Sequence, residues 1–436
     1  MRVLVIGSGG REHAMVWKLK QSPLLKEIFC APGNPGIAHL ADCIDIDPSD
    51  IVALADFAEQ LSVGLTVVGP ELPLILGVAD EFQRRGLPIF GPSRAAAEIE
   101  GSKAFAKDFM KKHGIPTARF HVVNDADEAH AVIKKEELGL PLVVKADGLA
   151  GGKGVTVATT REEALEAADH LLKDKAFGTA GNRVVLEEFL EGEEVSFFVL
   201  SDGAKVFPLV AAQDVKRALD GDEGPNTGGM GCVCPATMLR AETLKRIMQE
   251  IVLPTVSHMA AEGRRYQGLL YCGLIMTKDG PQVLEYNCRF GDPETQAVLP
   301  RFQGDLLPLF REVAEGKLEQ HKPEWSREPA VTVILASGGY PGSYQTGKKI
   351  EGVDLAKGVE VMEGVRLFHA GTKKSEDSLV TAGGRVLAVT GIGQNLKVAI
   401  DRAYQAVGSI HFEGMHYRKD IGRKALARMS GEGSTS

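Results

Sequence analysis

The chain has 436 residues, 44% hydrophobic and 25% charged, with 50 Lys+Arg against 58 Asp+Glu for a formal charge of −8. At about 150 residues per domain this implies roughly three domains, with a core large enough to need no disulfide or metal staple. Basic residues occur as scattered pairs such as Arg84-Arg85 and Lys134-Lys135, a pattern that argues against a nucleic-acid coat protein or a membrane-surface binder.

From the N-terminus, residues 3–6, 28–31, 65–69 and 87–91 read as buried strands, and 13–21, 48–61, 73–85 and 93–98 as helices. This alternation predicts βαβ units on an open parallel sheet, an α/β unit over 1–100. The first apolar run is too short and too soon charged for a signal peptide, and no run reaches the roughly 18 residues of a membrane span. Gly7-Ser8-Gly9-Gly10 follows a strand and opens a helix, where backbone N–H groups and the helix dipole suit an anion. A dinucleotide, a phosphorylated small molecule and a turn without ligand remain open there. Glu12 at the third glycine position, and no acidic residue after Ala31-Pro32-Gly33-Asn34, count against the dinucleotide. Gly69-Pro70-Glu71 ends another strand, either as part of a ligand crevice or as an ordinary turn.

A charged helix over 102–113 stops at Gly114-Ile115-Pro116. Residues 117–191 predict a compact α+β unit with strands at 142–146, 155–158 and 184–188 and a helix at 161–173. Between the first two strands, Lys145-Ala146-Asp147-Gly148-Leu149-Ala150-Gly151-Gly152-Lys153-Gly154 is a glycine loop that lets backbone N–H groups approach phosphates, with Lys145 as a point charge. It is no Walker A loop, since Gly154 follows Lys153 and a strand leaves it; a plain hairpin loop is the alternative. The run Glu187-Glu188-Phe189-Leu190 can meet a purine through backbone groups and Glu194 can accept from ribose hydroxyls, or the run is a solvated acidic loop.

Residues 192–320 mix strands (197–200, 206–211, 271–276, 283–286) with helices. Asp214 can hold an ammonium group, and the glycine-rich Asn226-Thr227-Gly228-Gly229 run passes close to a ligand unless it is loop only. Alternation on a strand projects Glu285, Asn287 and Arg289 to one face. Two oxygen donors beside an arginine suit Mg²⁺ with a phosphoryl or carboxylate group; a surface salt bridge on an edge strand is the alternative. Residues 317–328 read as a linker, 329–428 as a small closing unit (strands 330–336, 359–369 and 385–391, helix 395–410), and 429–436 as a disordered tail. Six cysteines without framework spacing predict a reduced, cytoplasmic compartment.

Residues 7–14 (GSGGREHA), 31–34 (APGN), 68–73 (VGPELP), 101–105 (GSKAF), 144–155 (VKADGLAGGKGV), 224–231 (GPNTGGMG), 285–294 (EYNCRFGDPE) and 368–372 (FHAGT) together resemble the ATP-grasp superfamily, and within it the glycinamide ribonucleotide synthetases. The resemblance implies an N-terminal α/β domain, a two-lobed ATP-grasp module over 101–320 (117–191 and 192–320) and a mixed C-terminal domain. It implies ligation of glycine to 5-phosphoribosylamine with ATP, through a glycyl phosphate, in purine synthesis. Lys103, Lys145, Gly151, Gly152, Lys153 and Gly154 would take ATP phosphates, Glu187 to Leu190 (with Glu188 and Phe189) the adenine, and Glu194 the ribose. Glu285 and Asn287 would hold Mg²⁺ or Mn²⁺, and Arg289 and Asp214 would orient glycine beside Asn226, Thr227 and Gly228. Gly9, Gly10, Gly69, Pro70 and Glu71 would take the sugar phosphate. A monomer binding only small molecules, with no nucleic acid or membrane, is implied. One departure follows Met230-Gly231, where members commonly show Ala-Tyr-Ser-Pro and this chain has Cys232-Val233-Cys234-Pro235. Another ATP-grasp ligase, or a nucleotide-binding protein without turnover, would share the ATP residues.

Overall fold

The structure is a computed structural model that describes residues 1–149, 154–173, 181–319 and 324–430. Strands β1 (Arg2–Gly7), β2 (Glu27–Pro32), β3 (Asp42–Cys43), β4 (Leu65–Val68) and β5 (Ile89–Phe90) form a parallel sheet in the order β3-β2-β1-β4-β5. Val3, Leu4, Val5 and Ile6 are all fully buried, as a strand covered by helices on both faces requires. The order reverses between β1 and β4, so Gly7 and Gly69 flank the crevice where open α/β sheets bind ligands. The helix expected over 73–85 is two helices, Glu71–Leu76 and Val78–Arg84, because Gly77 takes a left-handed conformation between them (φ +98).

The next unit is an antiparallel sheet of β6 (Phe120–Val123), β7 (Leu142–Ala146), β8 (Val155–Ala158) and β9 (Val184–Glu188), ordered β6-β9-β7-β8. Helices Ala126–Lys135 and Arg161–Leu172 cover it through Ala129, Ile133, Ala164 and Ala168. The first of these helices and β6 escaped the sequence reading, being short and only partly buried.

Beyond it run β10 (Glu193–Asp202), β11 (Val206–Pro208), the short β12 (Gln213–Asp214), β13 (Arg217–Leu219), β14 (Glu223–Asn226) and β15 (Gly231–Cys234), then the long β16 (Gln267–Thr277) and β17 (Gly280–Asn287). A sheet ordered β11-β10-β16-β17 packs on the N-terminal sheet partly through helix Leu306–Glu315, whose Phe310 stacks on Phe90 at 4.0 Å. Chain 241–261, unassigned from sequence, is nearly continuous helix.

The C-terminal strands are β18 (Ala330–Ala336), β19 (Glu360–Met362), β20 (Val365–His369), β21 (Thr372–Ser375), β22 (Ser378–Thr381) and β23 (Arg385–Ile392). The strand expected over 359–369 is a hairpin, turned at Gly364 (φ +69). This sheet is completed from elsewhere in the chain: its order is β12-β15-β18-β23-β20-β19, and Gly231–Cys234 pairs with residues 333–330 of β18. The expected linker is tied down where it is described: Leu318 is buried, Trp325 packs on Phe302, and Arg301 donates to the Ser326 and Glu328 carbonyls. Helix Arg423–Met429 extends past the expected start of the tail, and residues 431–436 lie outside the described residues.

Candidate active site

The sheets meet around a cleft of about 450 Å³. Its cationic wall begins with helix Lys103–His113. Ser102 caps that helix, and Asp147 accepts from Ser102 Oγ (2.9 Å) and from the Ala104 N–H (2.7 Å), which fixes the helix start against the glycine loop. Lys103 Nζ consequently reaches the Gly148 carbonyl at 3.0 Å, and burial lowers its pKa. Lys145, at the end of β7, pairs with Glu187 of β9 at 3.0 Å and approaches the Leu284 carbonyl at 3.4 Å. Gly154 lines the cleft, whereas Gly151, Gly152 and Lys153 lie outside the described residues.

Glu187, Glu188, Phe189 and Leu190 line the cleft where β9 gives way to β10, together with the apolar side chains of Met110, Val143, Val157 and Leu284. An apolar slot beside exposed backbone is what a purine ring requires. The Glu188 carboxylate is already taken, by the Arg119 N–H at 2.8 Å and by Arg119 Nε at 2.6 Å. Glu194, about half exposed, pairs with Lys216 at 2.8 Å.

The opposite wall is built from β17 and the turn after it. The strand ends at Asn287, so Arg289 lies beyond the expected alternation, yet Glu285, Asn287 and Arg289 all face the cleft. Burial alone would raise the pKa of Glu285, but Lys216, Lys145, Lys103 and Arg289 outweigh it and lower it, keeping the group ionised. The buried Asn287 amide makes no side-chain hydrogen bond among the described residues. An ionised carboxylate and an amide oxygen at one strand end, facing phosphate-sized space, fit a hard divalent cation. Arg289 is clamped by Glu71 Oε2 and Glu100 Oε1, each at 3.1 Å, and donates to the Phe290 carbonyl at 3.2 Å. With five N–H donors, its guanidinium keeps two for a substrate.

Asp214 sits on β12 with its Oδ1 buried and unpartnered. Burial, and then the neighbouring Glu294, push its pKa well up, so its ionised form is disfavoured until a cation such as an ammonium group comes to it. Gly229 passes against it in a conformation closed to other residues (φ +112), and an added Cβ would lie 2.7 Å from Asp214 Oδ1. Asn226, Thr227 and Gly228 line the cleft, Thr227 Oγ1 donating to the Lys216 carbonyl at 2.7 Å. Glu71 also lines it, but Gly9, Gly10, Gly69 and Pro70 do not. The Gly9 N–H already donates to Glu12 Oε2 at 2.6 Å, so the residue that spoiled the dinucleotide fingerprint fills the turn itself.

Sequence reasoning missed seven charged groups that line the cleft: Arg11, Glu100, Lys107, Lys216, Asp292, Glu294 and Arg385. Lys107, one turn along from Lys103, had an i,i+4 signal. Lys216 stands two residues past Asp214, and Glu294 closes the 285–294 run noted above. Arg385 had none: it enters from β23, and its Nη1 ties the carbonyls of Gly228 (2.5 Å) and Asp292 (2.7 Å) together.

Two α+β lobes gripping a lysine-lined cleft, beside an open parallel sheet, define the ATP-grasp fold. Family models for the phosphoribosylglycinamide synthetase N domain, ATP-grasp (A) domain and C domain match residues 1–100, 101–295 and 330–424. The chain belongs to the phosphoribosylglycinamide synthetase family. It is 50% identical over 431 residues to the phosphoribosylamine–glycine ligase of Vibrio vulnificus, covering 98% of this chain and 99% of that one. The crystal structure of the Thermotoga maritima phosphoribosylamine–glycine ligase superposes with a TM-score of 0.83 at 35% identity, over 96% of this chain and 100% of that one. The biotin carboxylase domain of Hydrogenobacter thermophilus 2-oxoglutarate carboxylase shares the fold alone, at TM-score 0.74 and 19% identity, over 95% of this chain and 91% of that one.

Proposed function

We propose that this protein ligates glycine to 5-phosphoribosylamine, giving glycinamide ribonucleotide, ADP and phosphate, as a step of purine synthesis. The observation that carries the reading is one cleft holding both a lysine pair suited to a polyphosphate, Lys103 and Lys145, and a half-buried carboxyl group suited to an ammonium, Asp214, whose Oδ1 is buried and unpartnered. Lys103, Lys145 and the glycine-loop backbone neutralise ATP phosphates while Glu187 to Leu190 frame adenine and Glu194 accepts from ribose. Asp214 takes the glycine ammonium and Arg289 its carboxylate. That carboxylate attacks the γ-phosphorus, ADP leaves, and the sugar amine attacks the resulting glycyl phosphate and expels phosphate. Glu285 and Asn287 would hold Mg²⁺ or Mn²⁺, which supplies charge neutralisation on the phosphoryl oxygens. No dedicated nucleophile is required, since positioning and electrostatics carry most of a phosphoryl transfer.

The sugar phosphate would lie toward the crevice between β1 and β4, beside Glu71; the turns at Gly9-Gly10 and Gly69-Pro70 could take it only if the Glu12 side chain, which now accepts from the Gly9 N–H, moved aside. The enzyme acts as a cytoplasmic monomer; no described helix is long and apolar enough to cross a membrane. The test is ADP release from ATP and Mg²⁺, with glycine and with phosphoribosylamine formed in situ from ribose 5-phosphate and ammonia. Release is expected only with both, and ADP formed equally without either one sinks the assignment.

A further inference from the structure

One buried charge in the cleft has no part in those steps. Lys107 is 2% exposed, and its Nζ lies 2.8 Å from Glu187 Oε2 and donates to Thr117 Oγ1 at 2.8 Å. Thr117 in turn donates to the Val283 carbonyl of β17 at 2.7 Å, and the Phe120 ring lies 5.9 Å from the ammonium. Lys107 is thus pinned from three directions. Glu187, itself buried, has a second cation, Lys145, at 3.0 Å. One carboxylate has two ammonium partners, of which Lys145 is the more open to the cleft.

A buried carboxylate that loses its only counter-ion is strongly destabilised, because neither water nor another charge replaces the lost partner. Were Lys145 the sole partner of Glu187, every ATP that drew Lys145 away would bear that penalty. We propose that Lys107 is the resident counter-ion of Glu187 and thereby a positioning residue for ATP: it frees Lys145 to leave that carboxylate for the phosphates. The inference rests on the assignment of Lys145 to ATP made above. Glycine binds elsewhere in the cleft, so its affinity should not depend on Lys107.

The groups facing Lys107 are Glu187 and Lys145, with Glu188 farther off. Burial, offset by Glu187 and reinforced by Lys145, brings its pKa down to about 8. Raising the pH through about 8 therefore removes the resident charge, and ATP should bind more weakly on the alkaline side.

The test compares the full-length wild type with Lys107→Met and Lys107→Arg. ATP is titrated by calorimetry in Mg²⁺ without glycine, and KM is measured for each substrate. Lys107→Met is expected to weaken ATP binding about tenfold or more, with the glycine KM unchanged. Lys107→Arg, which cannot lose its proton in this range, should restore ATP affinity and flatten the alkaline limb seen in the wild type. Unchanged ATP affinity in a folded Lys107→Met overturns the inference, as does a parallel loss of ATP affinity, glycine affinity and thermal stability. If Lys107→Met does not fold, an alkaline limb that persists in Lys107→Arg overturns it instead. A wild type that turns over only with glycine and the amine, alongside unaffected variants, defeats this inference alone. A wild type without that dependence defeats the assigned reaction.

Discussion

Arg289 owes its orientation to two carboxylates brought from outside its own strand, Glu71 and Glu100. Burial alone would raise the pKa of Glu71, but Arg289 and then Arg11 outweigh it and hold it at about 2, against an ordinary 4.5. Because the folded value lies below the unfolded one, the pair's stabilisation is present above about pH 4.5 and fades as pH falls toward 2. Glu71→Gln should therefore lower stability at neutral pH by no more than about 3 kcal/mol, solvent contact reducing that ceiling, and match wild type in strong acid. Urea unfolding across that range checks it; a constant difference at every pH would refute the electrostatic account. Glu285, Asn287 and Arg289 were legible in sequence because their chemistry is visible in one short run. Lys107 had only its spacing from Lys103, its contact with Thr117 being invisible in sequence, and Arg385 had no signal at all, because it is set apart by its hydrogen bonds to the distant Gly228 and Asp292 carbonyls.

Among elements, β7, β8 and β9 fall where the sequence put them, since each is a short valine-rich run, β7 and β9 buried and β8 only partly so. Hairpin β21–β22 was invisible because its strands read as polar loop, with Lys373, Lys374 and Ser375 exposed. Least legible was the placement of β15 in the C-terminal sheet, a pairing across about a hundred residues that no local pattern encodes. It explains the unusual Cys232-Val233-Cys234 run: alternation turns both cysteines into one core and Val233 into another, so small apolar side chains suffice. At Gly231 an added Cβ would lie 2.7 Å from the Thr332 carbonyl oxygen and 2.7 Å from Ile421. Gly231→Ala should push β15 off β18 and cost about 1–3 kcal/mol. An unchanged denaturation midpoint would show that the ladder yields freely.

Across the whole molecule, the N-terminal unit is keyed to the C-terminal sheet by a histidine pair. The His369 N–H donates to His13 Nδ1 at 2.8 Å, and Asn34 Nδ2 bridges the Ser8 and His369 carbonyls at 2.8 and 3.0 Å. The Nδ1 acceptor requires neutral His13, and burial lowers both pKa values, that of His369 to about 4 against an ordinary 6.5. The unfolded chain therefore takes up protons that the folded one refuses as pH falls from 6.5 to about 4, and stability drops across that window. Replacing His369 with Asn should flatten the slope by about one proton, or about 1.4 kcal/mol per pH unit. A slope equal to wild type would mean that His369 takes up its proton in the fold as readily as in the unfolded chain.

The sheet shared by β15 and β18 also sets a timetable for biogenesis. Asp214, on β12, and the Asn226–Gly229 turn adjoin β15, whose partner β18, itself paired with β23, leaves the ribosome much later. At about 5–20 residues per second, a separation of about a hundred residues means roughly 5–20 s during which β15 stands as an unpaired apolar edge on a nascent chain. The ATP-binding lobes can collapse in that interval, but the half of the cleft that would hold the amino acid must wait for the last quarter of the protein. Nascent chains stalled before β18 are the species in which chaperone contact or aggregation should concentrate.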